Sequence, residues 1–160
     1  MSCACDLLVQ DGRVFVSSAE QYVRCARFLI RDKELVEEWT NTRLASSTGA
    51  CVLIGRGRFG VTKAGVLKCL DWNTGAEKWV QRGFGSHRTL IAAGGQLIVQ
   101  TSDSGQLVVV KASSKGYHES RCLRVFSGKP ATFTAPSLAD GRIYCRSYEG
   151  EVVCFNLAGR

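Results

Sequence analysis

The chain has 160 residues and a formal net charge of +7, with 45% hydrophobic and 22% charged residues, 17 Gly and only 2 Pro. That is one domain's worth of globular protein, and it excludes wholesale disorder. The longest apolar runs, such as Cys51-Val52-Leu53-Ile54 and Leu107-Val108-Val109-Val110, fall far short of the ~20 residues of a membrane-spanning helix.

The N-terminal run Met1-Ser2-Cys3-Ala4-Cys5-Asp6-Leu7-Leu8 has no basic stretch, and its apolar part is too short for a secretory signal. Leu8 to Val16 then reads as strand, Asp11-Gly12 turn, strand. The stretch from Ser18 to Trp39 is ambiguous. Ser18 with Gln21 has the spacing of a capping box, and Tyr22, Cys25, Ala26 and Leu29 recur at helical spacing. The same stretch splits into two strands, Tyr22 to Ile30 and Leu35 to Asn41, and then Trp39 falls 40 residues before Trp79. A repeat constrains every unit alike, so the strand reading is preferred.

The first hairpin recurs. Leu53 to Phe59, Ile91 to Val99 and Leu138 to Cys145 each set an apolar strand, a glycine-bearing turn and a second strand in order. The second turn positions are Gly12, Arg56, Gly95 and Gly141, spaced 44, 39 and 46 residues apart. A further turn follows at Thr62 to Gly65, Ser102 to Gly105 and Ser147 to Gly150, each leading to a third strand beginning near Val66, Gln106 and Glu151. A third turn stands at Asp71 to Gly75 and at Ser113 to Gly116, and an outer strand, Ala76 to Arg82, follows the first of these. Strand and turn alternating four times every ~40–45 residues is the grammar of a propeller blade. The prediction is an all-β, partial β-propeller of about three and a half four-stranded antiparallel blades, at about 4–42, 46–82, 88–126 and 132–157.

The chemistry-bearing residues form no catalytic constellation. Lys and Arg are scattered with no run of five, so a solvated basic face is preferred and nucleic acid is disfavoured as a partner. The eight cysteines contain no C-x-x-C pair, which disfavours zinc, and most lie in apolar strand-like stretches as buried thiols. With Glu149-Gly150 as a two-residue loop, Cys145 would pair with Cys154 across adjacent strands, as a core pair in preference to a disulfide. Gly55-Arg56-Gly57-Arg58-Phe59-Gly60 matches the G-x-G-x-x-G spacing, but the following residues read as turn and strand, where a dinucleotide site needs a helix. Arg56 to Phe59 also has the flavour of a basic-aromatic nucleic-acid contact, though one tetrapeptide is not a stacking platform. His87 and His118 lie in polar, turn-like contexts. No catalytic, cofactor-binding or metal-ligating residue is assigned.

Gly65-Val66-Leu67-Lys68-Cys69-Leu70-Asp71-Trp72-Asn73-Thr74-Gly75-Ala76-Glu77-Lys78-Trp79 resembles the repeat signature of pyrroloquinoline-quinone-binding-like (PQQ-like) β-propellers, in which a Thr-Gly turn precedes a Trp by four residues. The likeness extends through Gly105 to Val109, Leu123 to Gly128 and Ala135 to Arg146, and is to the C-terminal part of bacterial PQQ-like repeat proteins. The resemblance implies that the Trp packs flat on the next blade. The first unit keeps Trp39 without the Thr-Gly turn, and the third keeps Lys115-Gly116 without a Trp. Quinone-dependent dehydrogenases of this fold carry an adjacent Cys-Cys pair, a calcium site and a catalytic Asp. No two cysteines here are adjacent and no calcium ligands are assignable, so PQQ and calcium rest on the resemblance alone.

Three and a half blades do not close a ring, and each blade buries its faces on its neighbours. The expectation is therefore a segment of a longer propeller, completed by the remaining blades or by a second copy. Its function is read as a non-catalytic scaffold or interaction module with a protein or polymer partner. The alternative is part of a quinoprotein-type oxidoreductase whose catalytic residues lie outside this chain. An exported parent would place it in the periplasm or at the cell surface.

Overall fold

The computed structural model describes residues 7–19, 23–46, 51–85, 88–101, 103–127, 132 and 134–156. Fifteen strands form four antiparallel sheets, and among the described residues there is no helix. The first sheet holds β1 (Leu8–Gln10), β2 (Arg13–Ser18), β3 (Arg24–Arg31) and β4 (Glu34–Asn41). The second holds β5 (Val52–Ile54), β6 (Gly57–Val61), β7 (Val66–Asp71) and β8 (Glu77–Arg82). The third holds β9 (Arg88–Ala93), β10 (Gln96–Thr101), β11 (Gln106–Lys111) and β12 (Glu119–Arg124). The fourth has three strands, β13 (Ser137–Ala139), β14 (Arg142–Arg146) and β15 (Val152–Asn156). Each strand pairs only with its sequence neighbours, so each sheet is a self-contained up-and-down meander.

Local chemistry sets the hairpins. Asp11 and Gly12 sit at φ 50° and 69° between the paired residues Gln10 and Arg13. Two consecutive left-handed residues are what a two-residue hairpin turn with native twist requires. Asp140-Gly141 repeats this chemistry with the same signs. The ambiguous stretch after Ser18 resolves as β3 and β4, joined by Asp32 and Lys33, both at positive φ. Pairing of β3 with β2 along six residues decides the matter, since tertiary pairing overrides the helical spacing. Gln21 and Tyr22 of the alternative helix lie outside the described residues.

One irregularity recurs. β4, β8 and β12 each carry an extra residue opposite the preceding strand, at Glu38, Lys78 and Ser120. The bulge sets equivalent rows across the sheets: Leu8-Phe15-Arg27-Trp39, then Val52-Phe59-Cys69-Trp79, then Ile91-Ile98-Val109-Arg121. The fourth sheet continues the series as Ser137-Tyr144-Cys154.

The core lies between the sheets. Phe15 and Cys25 of the first pack with Leu70 and Trp72 of the second, with Leu44 and Cys51 filling the seam. Phe59, Val61 and Leu67 of the second meet Leu90, Leu97 and Val99 of the third. Ile98 and Leu107 of the third meet Ile143 and Cys145 of the fourth, joined by Phe126. The stack is held by its junctions, as the expected blade architecture demands.

The expected pairing of Cys145 with Cys154 is not formed. Residues 147–151 make a longer loop, closed by Ser147 N to Glu151 O and Gly150 N to Ser147 O. Cys145 therefore opposes Val153 and Tyr144 opposes Cys154. A register change of one residue turns the side chain to the other face. Cys145 is buried against the third sheet and Cys154 is exposed on the opposite side.

Candidate functional site: the blade junctions

The rows defined by the bulge face the next sheet, and the first two end on a tryptophan. Trp39 donates its indole N–H to Trp72 O at 3.2 Å, and Trp79 donates to Ser113 O at 2.7 Å. Both acceptors lie in the third turn of the following sheet. The acceptor turn is built by Asp71, whose carboxylate accepts from the amides of Asn73 and Thr74 and from the Thr74 hydroxyl. Lys78 lies 3.4 Å from the same carboxylate. Partial burial alone would push the Asp71 pKa up, but these donors outweigh it and hold the carboxyl below its ordinary 3.8. Arg27 completes the seam: it donates to Trp72 O at 2.6 Å, stands 2.8 Å from the Glu38 carboxylate and lies over the Trp72 ring.

Arg58 is the feature the sequence reading missed. Its tetrapeptide has a basic-aromatic flavour that is not by itself a stacking platform, and Arg58 is fully buried with its guanidinium stacked on Phe15 of the first sheet. Nε, Nη1 and Nη2 have no hydrogen-bond partner among the described residues. Burial pulls its pKa down to about 10, opposed by the neighbouring Cys51, Cys25 and Cys69. The corresponding positions in the other sheets, two residues after the hairpin turn, are Val14, Leu97 and Ile143. That alignment was the available signal. Gly55 and Arg56 form the β5–β6 turn, so the G-x-G-x-x-G stretch is a hairpin with no helix terminus to face a pyrophosphate.

Cys25, Cys51, Cys69 and Cys145 are buried thiols, while Cys122 is exposed and so is Cys154, which was expected in the core. No disulfide joins two of these six, and Cys3 and Cys5 lie outside the described residues. His118 is exposed in the loop before β12, and His87 lies outside the described residues. Among the described residues no group of three or more His, Cys, Asp or Glu is placed to hold a metal ion. No helix among them is long and apolar enough to cross a membrane.

One groove on the surface is basic. It has a volume of about 500 Å³ and runs between the first two sheets, lined by Arg43, Lys63, Lys68 and Arg82 with Glu77 as counter-charge. Lys68 pairs with Glu77 at 2.8 Å, and Arg43 donates to Gly75 O at 3.3 Å.

The outer faces of the stack differ from its junctions. On the fourth sheet burial alternates: Ile143 and Cys145 are buried, while Arg142, Arg146, Val152 and Cys154 on the other face are exposed. Tyr144 occupies the row position of Phe15, Phe59 and Ile98 and is half-buried on that open face. At the other end Val9, Ile30 and Leu35 are exposed at 66%, 47% and 60% on the first sheet's outer face.

These features define a partial β-propeller, an all-β stack of four blades. No family model and no curated protein matches the chain. Solved structures do. BamB from Moraxella catarrhalis is 19% identical with a TM-score of 0.78, over 98% of this chain and 48% of that one. The computationally designed Ika4 protein is 16% identical with a TM-score of 0.73, over 98% of this chain and 91% of that one. The quinohemoprotein alcohol dehydrogenase ADHIIG from Pseudomonas putida HK5 is 9% identical with a TM-score of 0.72, over 96% of this chain and 32% of that one. The chain spans less than half the length of BamB and a third of the dehydrogenase. At these identities the likeness is one of fold.

Proposed function

We propose that the chain is a non-catalytic propeller scaffold whose open blade faces are interaction surfaces, completed by further blades or by a second copy. The observation that carries this is Tyr144. Its three row equivalents are covered by a following sheet, whereas Tyr144 shares its face with exposed Val152 and Cys154. Apolar side chains at both ends of a stack favour association, because covering them removes that area from water. Sedimentation velocity across a concentration series tests this. Association that rises with concentration and weakens in Tyr144→Glu and Leu35→Glu is expected. A monomer at every concentration, unfolding cooperatively, overturns it. The oxidoreductase alternative is tested by dye reduction with alcohols and sugars in the presence of added quinone and calcium, and robust turnover would replace the scaffold reading.

A further inference from the structure

The third junction lacks the aromatic pair that seals the two before it. Phe15 and Trp39 stand 5.8 Å apart between ring centroids, and Phe59 and Trp79 stand 5.9 Å apart. The bulge register places Ile98 and Arg121 at the matching positions of the third sheet. Both rings are therefore missing at once. A cavity of about 410 Å³ opens there, with Val109 and the packed pair Ile98 and Ile143 as its apolar floor and Gln96, Ser120 and Arg121 at its polar margin.

We propose that this gap is a binding site for a planar heteroaromatic carboxylate of about the size of an indole acid. The ring takes the place of the absent indole, laid on the apolar floor that Val109, Ile98 and Ile143 supply. The polar groups fit the rest of such a molecule. Arg121 makes no hydrogen bond or ion pair with a described residue, and among the described residues no acidic one lines the cavity. A guanidinium so placed takes a carboxylate through two parallel hydrogen bonds. The Gln96 Oε1 is buried without a hydrogen-bond partner among the described residues, an acceptor for a ring N–H. Trp39 and Trp79 likewise need an oxygen for their N–H groups, which they find on backbone carbonyls of the next sheet, whereas Gln96 offers a side-chain oxygen from the same sheet. The net charge of +7 also draws anions toward the molecule. The function proposed above does not use this site, so each stands or falls alone.

The test is a calorimetric titration of the 160-residue chain with indole-3-acetate, with tryptamine as the cationic counterpart, and methyl NMR of the same samples. Saturable binding with a dissociation constant on the order of 1 mM or tighter is expected, moving the Ile98, Val109 and Ile143 methyl signals. Tryptamine should bind about tenfold more weakly or worse. Arg121→Trp puts an indole back into the gap and should abolish binding, while Arg121→Gln should keep the site and lose the preference for the acid. Absence of saturation, methyl shifts elsewhere, or undiminished binding to a folded Arg121→Trp overturns the proposal. Should Arg121→Trp fail to fold, the methyl shifts of the unmodified chain decide it.

Discussion

The indole of Trp39 lies so close over Gly75 of the next blade that a Cβ there would stand 2.7 Å from the ring. The same glycine holds φ +67°, which side chains rarely adopt. Two demands thus meet on one residue: the turn needs a left-handed position, and the preceding blade needs a bare surface. Gly75→Ala should cost about 2–4 kcal/mol, combining left-handed strain with displacement of the ring. In a Trp39→Leu background the same substitution should cost measurably less, because the ring clash is gone and only the left-handed strain and the close approach of Asn41 Nδ2 remain. Denaturant unfolding of the four-member cycle reads this directly. Strict additivity would mean that the contact carries no energy.

Arg58 is a charge placed where three sister blades place aliphatic side chains. A guanidinium stripped of water, with three nitrogens unpartnered among the described residues, is costly. Arg58→Leu, which copies Leu97, should therefore raise stability by about 1–3 kcal/mol at pH 7. The sign with pH follows from the depressed pKa of about 10. Above it the folded chain releases a proton that the unfolded chain still holds, so the native arginine's penalty shrinks as pH rises. The advantage of Arg58→Leu should narrow correspondingly in alkaline buffer. A destabilised variant would show that the stacking on Phe15 outweighs desolvation.

The blades were legible in the sequence because their turns advertise themselves. Asp11-Gly12, Gly94-Gly95 and Asp140-Gly141 put glycine where the backbone must be left-handed. Asp32-Lys33 makes the same kind of turn with no glycine, which is why the stretch from Ser18 to Trp39 read two ways. Arg58 escaped notice because arginine is ordinarily a surface residue, and only alignment with Val14, Leu97 and Ile143 marks its position as interior. Arg121 was hidden by the bulge at Ser120, which must be counted before it falls in line with Trp79. The Cys145 register was misjudged because a single Gly150 suits both a two-residue turn and the longer loop that forms.

The cysteines give a chemical reading of that register. Burial pushes the Cys69 and Cys145 thiols up to about 11, and raises Cys25 as well. At pH 8 a thiol with a pKa two units above normal has about 100-fold less thiolate, and burial blocks the reagent besides. Brief alkylation of the native chain, mapped by peptide mass, should label Cys122 and Cys154 well before Cys25, Cys51, Cys69 and Cys145. Labelling of Cys145 in step with Cys154 would place both on one exposed face and refute the pairing of Cys145 with Val153.

Asp71 ties the acid stability of the chain to the first junction. Its carboxylate holds the turn that presents Trp72 O to both Trp39 and Arg27. Because the folded carboxyl titrates below 3.8, its contribution is complete above the unfolded pKa and is lost as pH falls through the folded one. Asp71→Ala removes the turn's acceptor and should cost about 1–2 kcal/mol at pH 7. Asp71→Asn keeps an acceptor oxygen but not the charge, so it should cost less and lose its share of the pH dependence. Unfolding curves of the native chain and Asp71→Asn should therefore converge toward the acid end between pH 7 and pH 2, with Asp71→Ala remaining below both. A gap between native and Asp71→Asn that persists unchanged below pH 3 would mean that the charge contributes nothing and that the turn alone supports the Trp39 contact.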